Sequence, residues 1–153
     1  MKLVEEYMKK AVIVLSPEDR VLDVINIFSE NNISGAPVVE NGKVIGVVSE
    51  SDIIKFLSKD LVEFPKPKTN IQLMMLEIVK SQIELKVSIK KQLDTKIKDI
   101  MNKNVVTISP KDGILKAAEI MSKNDVRRLP VTENGKLVGI ISRTDLLKAF
   151  SEF

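Results

Sequence analysis

The sequence predicts a mixed α/β (α+β) fold in which two tandem β-α-β-β-α repeats pack about a pseudo-twofold axis. The first observation is that one pattern recurs 93 residues later without a gap, in Met8 and Met101, Pro37 and Pro130, and Asp52 and Asp145. The second is that short β-branched runs alternate with segments of helical period within each copy. The third is a composition of 44% hydrophobic and 29% charged residues, typical of a soluble globular chain. Because the chain has one Tyr, five Phe and no Trp, we expect an aliphatic core.

Each repeat is expected to open with a short strand and a helix. The runs VIVLS (12–16) and VVTIS (105–109) are rich in β-branched residues, and each is halted by Ser-Pro. Proline suits the first turn of a helix, and the apolar spacing that follows predicts helix one of the first repeat near 17–31. Asn31 and Asn32 are expected to end that helix.

A hairpin and a second helix are expected to complete each repeat. GAPVVE (35–40) and RLPVTE (128–133) read as strands, and VIGVVS (44–49) and LVGIIS (137–142) as the strands that return from them. Asn41-Gly42 and Asn134-Gly135 join the two strands of each pair, and Asn-Gly favours a type I′ turn. SDIIKFLSK (51–59) and TDLLKAFSE (144–152) close the repeats as amphipathic helices.

The predicted domain organisation is repeat one at 1–59, an insert at 60–93 and repeat two at 94–153. One repeat alone would bury little apolar surface, so we expect the two to pack sheet against sheet. Prolines at 65 and 67 predict an extended segment near 63–68. In the rest of the insert, 71–79 has a helical pattern, whereas 83–89 alternates as a strand does; we favour helix overall. The insert is too apolar for a free linker and is expected to pack on the repeats or on a second subunit.

Composition argues against several function classes. The chain has no Cys and no His, which removes disulfides, thiolate and imidazole metal sites, and the commonest catalytic base. We therefore expect neither an enzyme nor a metal site. The net charge of +3 is mild and favours an anionic ligand over nucleic acid, because the basic residues are dispersed and aromatic platforms are few. The sequence shows neither a signal core nor a membrane span, so we expect a cytoplasmic protein without membrane association.

Taken in order and doubled, these motifs resemble a tandem pair of cystathionine β-synthase (CBS) domains of the stand-alone type. They are Ser-Pro after strand one, an apolar-Pro-Val strand, an Asn-Gly-Lys hairpin and Gly-apolar-apolar-Ser-x-x-Asp. The resemblance implies a non-catalytic regulatory module that binds AMP, ADP, ATP or S-adenosylmethionine in clefts between its repeats. It also implies a homodimer formed through the helices of the CBS pair. Since no effector domain is attached, an effector protein of unknown identity is expected; the alternative is a protein-interaction scaffold without nucleotide.

The Ser-x-x-Asp pattern at the end of each repeat has two compatible interpretations. Ser49 with Asp52, and Ser142 with Asp145, form the pattern of a capping box at a helix start. The same helix start offers free N–H groups to a phosphate, and a carboxylate can accept from both hydroxyls of a ribose. The neighbouring hydroxyl residues Ser51 and Thr144 leave room for a phosphate to approach.

The two repeats differ in charge ahead of the strand-two proline. Repeat two has Arg127 and Arg128 where repeat one has Ser34 and Gly35, and a guanidinium can grip phosphate oxygens with two hydrogen bonds. We therefore predict that the second repeat takes the phosphorylated ligand and that the first has room for a less charged adenosine derivative. By the resemblance, the candidate adenine contacts are Val14, Ala36, Pro37, Thr107, Ile108, Leu129 and Pro130.

Overall fold

The computed structural model describes residues 1–59 and 71–153. The predicted extended segment at 63–68 lies outside the described residues. The described chain forms two compact units, each assembled from separate segments. Unit one comprises Met1–Pro17, Ala36–Val47 and Met101–Phe153, and unit two comprises Glu18–Gly35 and Val48–Ile100. The division into domains at 59/60 and 93/94 stays a prediction.

Helices and strands follow the predicted mixed order, which confirms the fold class. Repeat one contains α1 (Val21–Asn31), β1 (Gly35–Glu40), β2 (Lys43–Ser49) and α2 (Glu50–Ser58). Repeat two contains α4 (Ile114–Asn124), β3 (Arg128–Glu133), β4 (Lys136–Ser142) and α5 (Arg143–Ser151). Between the repeats lies α3 (Ile71–Leu93), so the helical interpretation of 71–93 is confirmed and the strand alternative for 83–89 is wrong.

The four strands form one sheet in the order β1-β2-β4-β3. Its centre pairs Lys43 of β2 with Lys136 of β4 in antiparallel fashion, and these two residues occupy the same position in their repeats. Antiparallel pairing of equivalent residues is the mark of a local twofold axis. The two hairpins therefore meet edge to edge, and our expectation of sheet against sheet is wrong.

The predicted first strand of repeat one is reduced to a single parallel bridge between Leu15 and Val38. The Leu15 N–H donates to the Pro37 carbonyl at 2.9 Å, and the Val39 N–H donates to the Leu15 carbonyl at 2.9 Å. Extending this ladder in either direction would need an N–H from Pro17 or from Pro37, and proline has none. The prolines therefore confine the pairing to one residue.

Repeat two has the same arrangement, with Ile108 bridged to Val131 and Pro110 and Pro130 at the equivalent positions. The helices begin at Val21 and Ile114, so the prediction that they begin near the Ser-Pro pairs is wrong. The residues between form a turn, in which the Ser109 N–H donates to the Asp112 carboxylate at 3.0 Å.

The turns and helix ends confirm the interpretation of the Asn and Gly positions. Asn41 and Gly42 have φ angles of 52° and 78°, and the second hairpin repeats them at 53° and 79°. Positive φ at both central residues defines a type I′ turn. Asn32 ends α1 in the left-handed conformation, and its N–H donates to the carbonyls of Phe28 and Ser29.

Both units depend on the first residues of the repeats, 2–9 and 95–102, which we call the leading segments. In unit one the Val4 N–H donates to the Asp112 carbonyl at 2.8 Å, and the Ile114 N–H donates to the Lys2 carbonyl at 3.1 Å. Unit two shows the equivalent contacts at 2.7 Å and 2.9 Å, from the N–H groups of Ile97 and Val21 to the carbonyls of Asp19 and Thr95. Each leading segment therefore packs at the helix start of the other repeat, and this exchange explains why the compact units do not follow the repeats.

Two glycines let these leading segments cross the sheet. Lys9 bridges to Ile140 beside Gly139, and a Cβ on Gly139 would lie 2.6 Å from Met8 Sδ and 3.0 Å from the Lys9 carbonyl oxygen. Repeat one has the same crossing, where a Cβ on Gly46 would lie 2.5 Å from Met101 Sδ. The glycine of each motif is therefore required by the close approach of the other repeat's leading segment.

The cores are aliphatic, as predicted. The core of unit one is formed by Val4, Ile108, Ile114, Ala117, Met121, Leu129, Val131, Ile141, Leu146 and Ala149. In unit two, Val21, Val24, Phe28, Val48, Ile53 and Ile97 are buried. Within residues 1–59 and 71–153, no helix is long and apolar enough to span a membrane.

Candidate functional site

Two equivalent helix starts carry the candidate site residues. We call Ser49–Asp52 at the start of α2 the first corner and Ser142–Asp145 at the start of α5 the second corner. In the second corner the Asp145 N–H donates to Ser142 Oγ at 3.3 Å, while the N–H and Oγ–H of Ser142 each donate to Asp145 Oδ2 at 2.9 Å. The first corner repeats these three bonds at 3.3, 2.9 and 3.0 Å. The capping interpretation is therefore confirmed at both corners.

The capping box commits only one oxygen of each aspartate. Oδ2 of Asp145 already accepts two hydrogen bonds, which fills its lone pairs. Within the part of the chain that the structure describes, Oδ1 of Asp145 accepts none, and the same holds for Asp52. A ribose held by both carboxylate oxygens does not fit this geometry, and Oδ1 alone has the capacity to accept from two ribose hydroxyls.

The corner residues are accessible to a ligand. Asp145 and Ser142 are half-buried and Thr144 is exposed; Asp52, Ser49 and Ser51 have the same pattern. Helices α2 and α5 each extend for nine residues, so their first turns present N–H groups and the positive end of the helix dipole.

The second corner is strongly basic. The Arg143 N–H donates to the Arg127 carbonyl at 3.0 Å, which joins the start of α5 to the residue preceding β3. The backbones of Arg127, Arg128 and Arg143 therefore lie together at the corner that contains Asp145, and Arg128 pairs with Ser142 in the sheet. The exposed Asp125 lies 4.0 Å from the Arg143 guanidinium, a weak surface pair.

The first corner has the same backbone contact but the opposite charge. The Glu50 N–H donates to the Ser34 carbonyl at 2.9 Å, so Glu50 and Ser34 stand where repeat two has Arg143 and Arg127. With Asp52, this corner carries two carboxylates and no arginine. Sequence reasoning missed Glu50 and Arg143, which a comparison of the two Ser-x-x-Asp motifs at their first variable position would have found.

The predicted adenine contacts divide into buried and exposed side chains. Thr107 and Val14 are exposed, the latter to 45% of its surface. The other five are buried and serve first as core residues, so only backbone groups or side-chain edges remain for a ligand: Ala36, Pro37, Ile108, Leu129 and Pro130.

The two sets of predicted site residues are distributed differently. All those of repeat two lie in unit one, where β3, β4 and α5 bring the second corner together. Those of repeat one are divided, with Val14, Ala36 and Pro37 in unit one and the first corner in unit two.

Unit two also contains an apolar groove of about 640 Å³ that the sequence did not indicate. It is lined by the facing sides of α1 and α2 and the turn that follows α1, including Ile25, Phe28, Ile33, Ile53, Ile54 and Leu57. Among the described residues, no group of acidic side chains is suited to hold a metal ion.

Comparison with known proteins identifies the family. The CBS domain family model matches residues 4–59 and 97–152, and the chain therefore belongs to the CBS domain family. The uncharacterized protein MJ1426 of Methanocaldococcus jannaschii is 39% identical over 153 residues, which cover 96% of this chain and 90% of that protein. Between the two matched segments lies the region that contains α3.

Solved structures of CBS proteins share the fold. The protein MJ1225 of Methanocaldococcus jannaschii aligns with a TM-score of 0.77 at 27% identity, over 97% of this chain and 48% of that one. The CBS domain pair of protein MJ0100, solved with 5′-methylthioadenosine and S-adenosyl-L-methionine, aligns with a TM-score of 0.73 at 21% identity, over 99% and 98%. CBSX2, solved with AMP, aligns with a TM-score of 0.73 at 22% identity, over 99% and 98%.

Proposed function

We propose that this chain is a non-catalytic regulatory module that binds an adenosine compound, and that the second corner receives its phosphate and ribose. The observation that carries the proposal is the second corner itself, where Asp145 Oδ1 accepts no hydrogen bond from the described residues and the backbone places three arginines at the same corner. Structural neighbours solved with AMP or with S-adenosyl-L-methionine support the class of ligand. AMP, ADP and ATP are the forms that match the charge of the corner.

In this proposal each part of the ligand meets a different group. The phosphate accepts from the first-turn N–H groups of α5, from Thr144 and from the guanidinium groups of Arg127, Arg128 and Arg143. The ribose hydroxyls donate to Asp145 Oδ1. The adenine lies against the edges of Leu129 and Pro130, with Thr107 and the backbone at Ile108 bonding its polar rim.

The first corner has the charge for a different ligand. Glu50 and Asp52 oppose a phosphate, whereas they favour an adenosine derivative that is neutral or positive, such as 5′-methylthioadenosine or S-adenosylmethionine. Ser49 and Ser51 supply hydroxyls to such a ligand. The adenine contacts at Val14, Ala36 and Pro37 stay predictions. The two corners would then sense different members of one chemical class.

Regulation in this proposal passes through other chains. The homodimer through the helices of the repeats, the effector protein and the cytoplasmic location stay predictions. The apolar groove of unit two favours the second candidate function, a protein-interaction scaffold, because α1 and α2 present to a partner an apolar surface that is open among the described residues.

Isothermal titration calorimetry with a ligand panel tests the proposal. AMP, ADP, ATP, S-adenosylmethionine and 5′-methylthioadenosine are titrated into the whole chain, and each ligand is also added to a thermal melt. A ligand at 100 times its dissociation constant stabilises the fold by about 2.7 kcal/mol. If no member of the panel gives heat or shifts the melt, the scaffold function replaces the sensor.

The phosphate role has its own variant. R127A/R128A is expected to weaken AMP by roughly 10-fold or more, since each charged hydrogen bond contributes about 1.5–3 kcal/mol. It should leave 5′-methylthioadenosine, which has no phosphate, nearly unchanged. Equal weakening of both ligands would show that the arginines support the fold and do not bind phosphate.

A further inference from the structure

Helix α3 packs through one face on the described residues of its own unit and carries an exposed apolar stripe on the opposite face. Half-buried or buried side chains recur at 74, 78, 81, 85, 88 and 92, a spacing of three and four residues that marks one face. This face packs against α1 and α2. Among the residues that the structure describes, α1 and α2 are the main helices packed on α3, and they meet it on this face.

The opposite face carries a second apolar stripe, which we define as Leu76, Val79, Ile83 and Val87. At 3.6 residues per turn these four positions fall within about 80° of arc, on the far side from the buried face. Their exposed fractions are 50%, 50%, 57% and 63%. Such a stripe on a helix that is already packed is characteristic of an interface with a further helix.

We propose that the stripe of α3 pairs with the same stripe of a second copy of this chain, in antiparallel orientation about a twofold axis. An axis near position 81 sets Leu76 level with Val87 of the second copy and Val79 level with Ile83. All four side chains then lie in mixed layers, the arrangement in which antiparallel helices interlock.

The charges beside the stripe match this orientation. Lys80 and Glu84 lie one turn apart on the same side of the stripe, and no ion pair within the described residues involves either of them. The twofold operation brings Lys80 of each copy to within about 2 Å, measured along the helix axis, of Glu84 of the other. Two reciprocal ion pairs result, whereas in a parallel pair the flank that carries Lys80 and Glu84 would face the other flank of the partner's stripe and these ion pairs would not form.

The area is adequate for a specific contact. Each half-exposed aliphatic side chain offers on the order of 50–100 Å² of apolar surface, so the stripe offers roughly 200–400 Å². Leu73 and Met75, exposed to 53% and 60%, flank its N-terminal end and add to this area. With these two side chains the surface is roughly 300–600 Å² per copy, and the stems of the flanking lysines bring it to the roughly 500 Å² per partner that a specific interface requires.

The test is the mass of the full chain by light scattering after gel filtration, over a wide range of protein concentration. V79E/I83E is expected to halve the mass, and to raise the dissociation constant at least about 100-fold, because it would bury unpaired carboxylates. L115E/L147E is the matched control, since Leu115 and Leu147 are exposed to 65% and 68% on α4 and α5. Circular dichroism checks that all variants keep their helices.

Exchanging the charges of Lys80 and Glu84 tests whether the two α3 helices are antiparallel, whatever contacts the other helices make. K80E and E84K should each weaken the assembly, and K80E/E84K should restore it, because the exchange re-forms both ion pairs across the twofold axis. Failure of the double variant to recover overturns the antiparallel pair.

Two further results overturn the proposal. The first is a wild-type mass of 17.1 kDa at every concentration, the mass of one chain; if that monomer also sediments with vesicles of anionic phospholipid, the stripe is a membrane-surface face. The second is an unchanged mass for V79E/I83E, which would leave the assembly to the helices that carry Leu115 and Leu147.

Discussion

Removing the corner carboxylates one at a time separates the structural role of these residues from binding. Asp52 and Asp145 make the same three capping bonds, and the corresponding distances agree to within 0.1 Å. D52A and D145A should therefore destabilise the fold similarly, by about 0.5–2 kcal/mol each, the range for loss of a helix cap. For a chain of this length that corresponds to a fall in Tm of roughly 1–8 °C.

Binding should distinguish the two variants. If Asp145 Oδ1 accepts from the ribose, D145A loses hydrogen bonds to a charged group, worth about 1.5–3 kcal/mol. The dissociation constant for AMP should rise roughly 10- to 150-fold, while D52A leaves it unchanged. Calorimetric titration of AMP into both variants, below their melting temperatures, measures the difference.

If both variants weaken AMP binding equally, the assignment of AMP to the second corner is wrong, because that corner would then have no special role. If D145A binds AMP as the wild type does while its Tm falls, the assignment of the ribose to Asp145 is wrong, because Asp145 would then be a capping residue only. The pairing of the variants makes either result interpretable, since each serves as the stability control of the other.

The charge of Glu50, the close contact at Gly139 and the ion pairs of Glu18 can each be tested by substitution. E50R should let the first corner bind AMP, because it removes one of two carboxylates and adds a guanidinium. Calorimetry should then report a second AMP site per chain. An unchanged stoichiometry would contradict the role given to charge. G139A should lower the free energy of unfolding by about 1–3 kcal/mol in urea melts, because its Cβ would lie 3.0 Å from the Lys9 carbonyl oxygen. Adding M8A to G139A should restore only part of the lost free energy. Complete recovery would show that the backbone contact is unimportant. Hydrogen bonds from Lys96 and Lys98 hold the pKa of Glu18 below its usual range. The contribution of Glu18 to stability is therefore present above the ordinary Glu pKa near 4.3 and is lost as pH falls through the lower pKa of the folded state. E18Q should flatten the decline of Tm below about pH 4.5, and an equally steep decline contradicts the assignment.

Prediction from sequence succeeded where a residue's local chemistry decides the conformation. Asn41-Gly42 adopts the predicted turn because these residues accept positive φ at little cost, and Asn32 ends α1 for the same reason. Ser49 and Ser142 cap their helices because the acceptor and the donor lie three residues apart in the same chain. Each of these features depends on contacts within a few residues.

Prediction failed where a partner distant in sequence decides the result. The run VIVLS has strand propensity, yet it pairs at one residue, because Pro17 and Pro37 remove the donors that a longer ladder would need. The alternation at 83–89 resembled a strand, but α1 and α2 offer α3 a helical face to pack against. Propensity is a weak guide when tertiary packing opposes it.

In the candidate site, too, the sequence indicated the local motifs but not the contacts made with distant residues. The sequence indicated the two Ser-x-x-Asp motifs and the arginines at 127 and 128, because these stand out when the repeats are aligned. It did not indicate that Oδ2 of each aspartate is already filled, or that Glu50 and Arg143 carry the opposite charges of the two corners. Those conclusions need the hydrogen bonds that join 34 to 50 and 127 to 143.

By itself the sequence determined the doubled unit, its turns, its helix caps and its family, because periodic apolar residues and turn residues act locally. The tertiary structure decided how the two copies are joined: the leading segment of each repeat docks at the helix start of the other, with Gly46 and Gly139 making room for the crossing. It also decided which face of α3 remains exposed. The crossing arises from contacts such as Val47 with Asn102 and Lys9 with Ile140, which are 55 (102 − 47) and 131 (140 − 9) positions apart, and no local pattern encodes such a pairing.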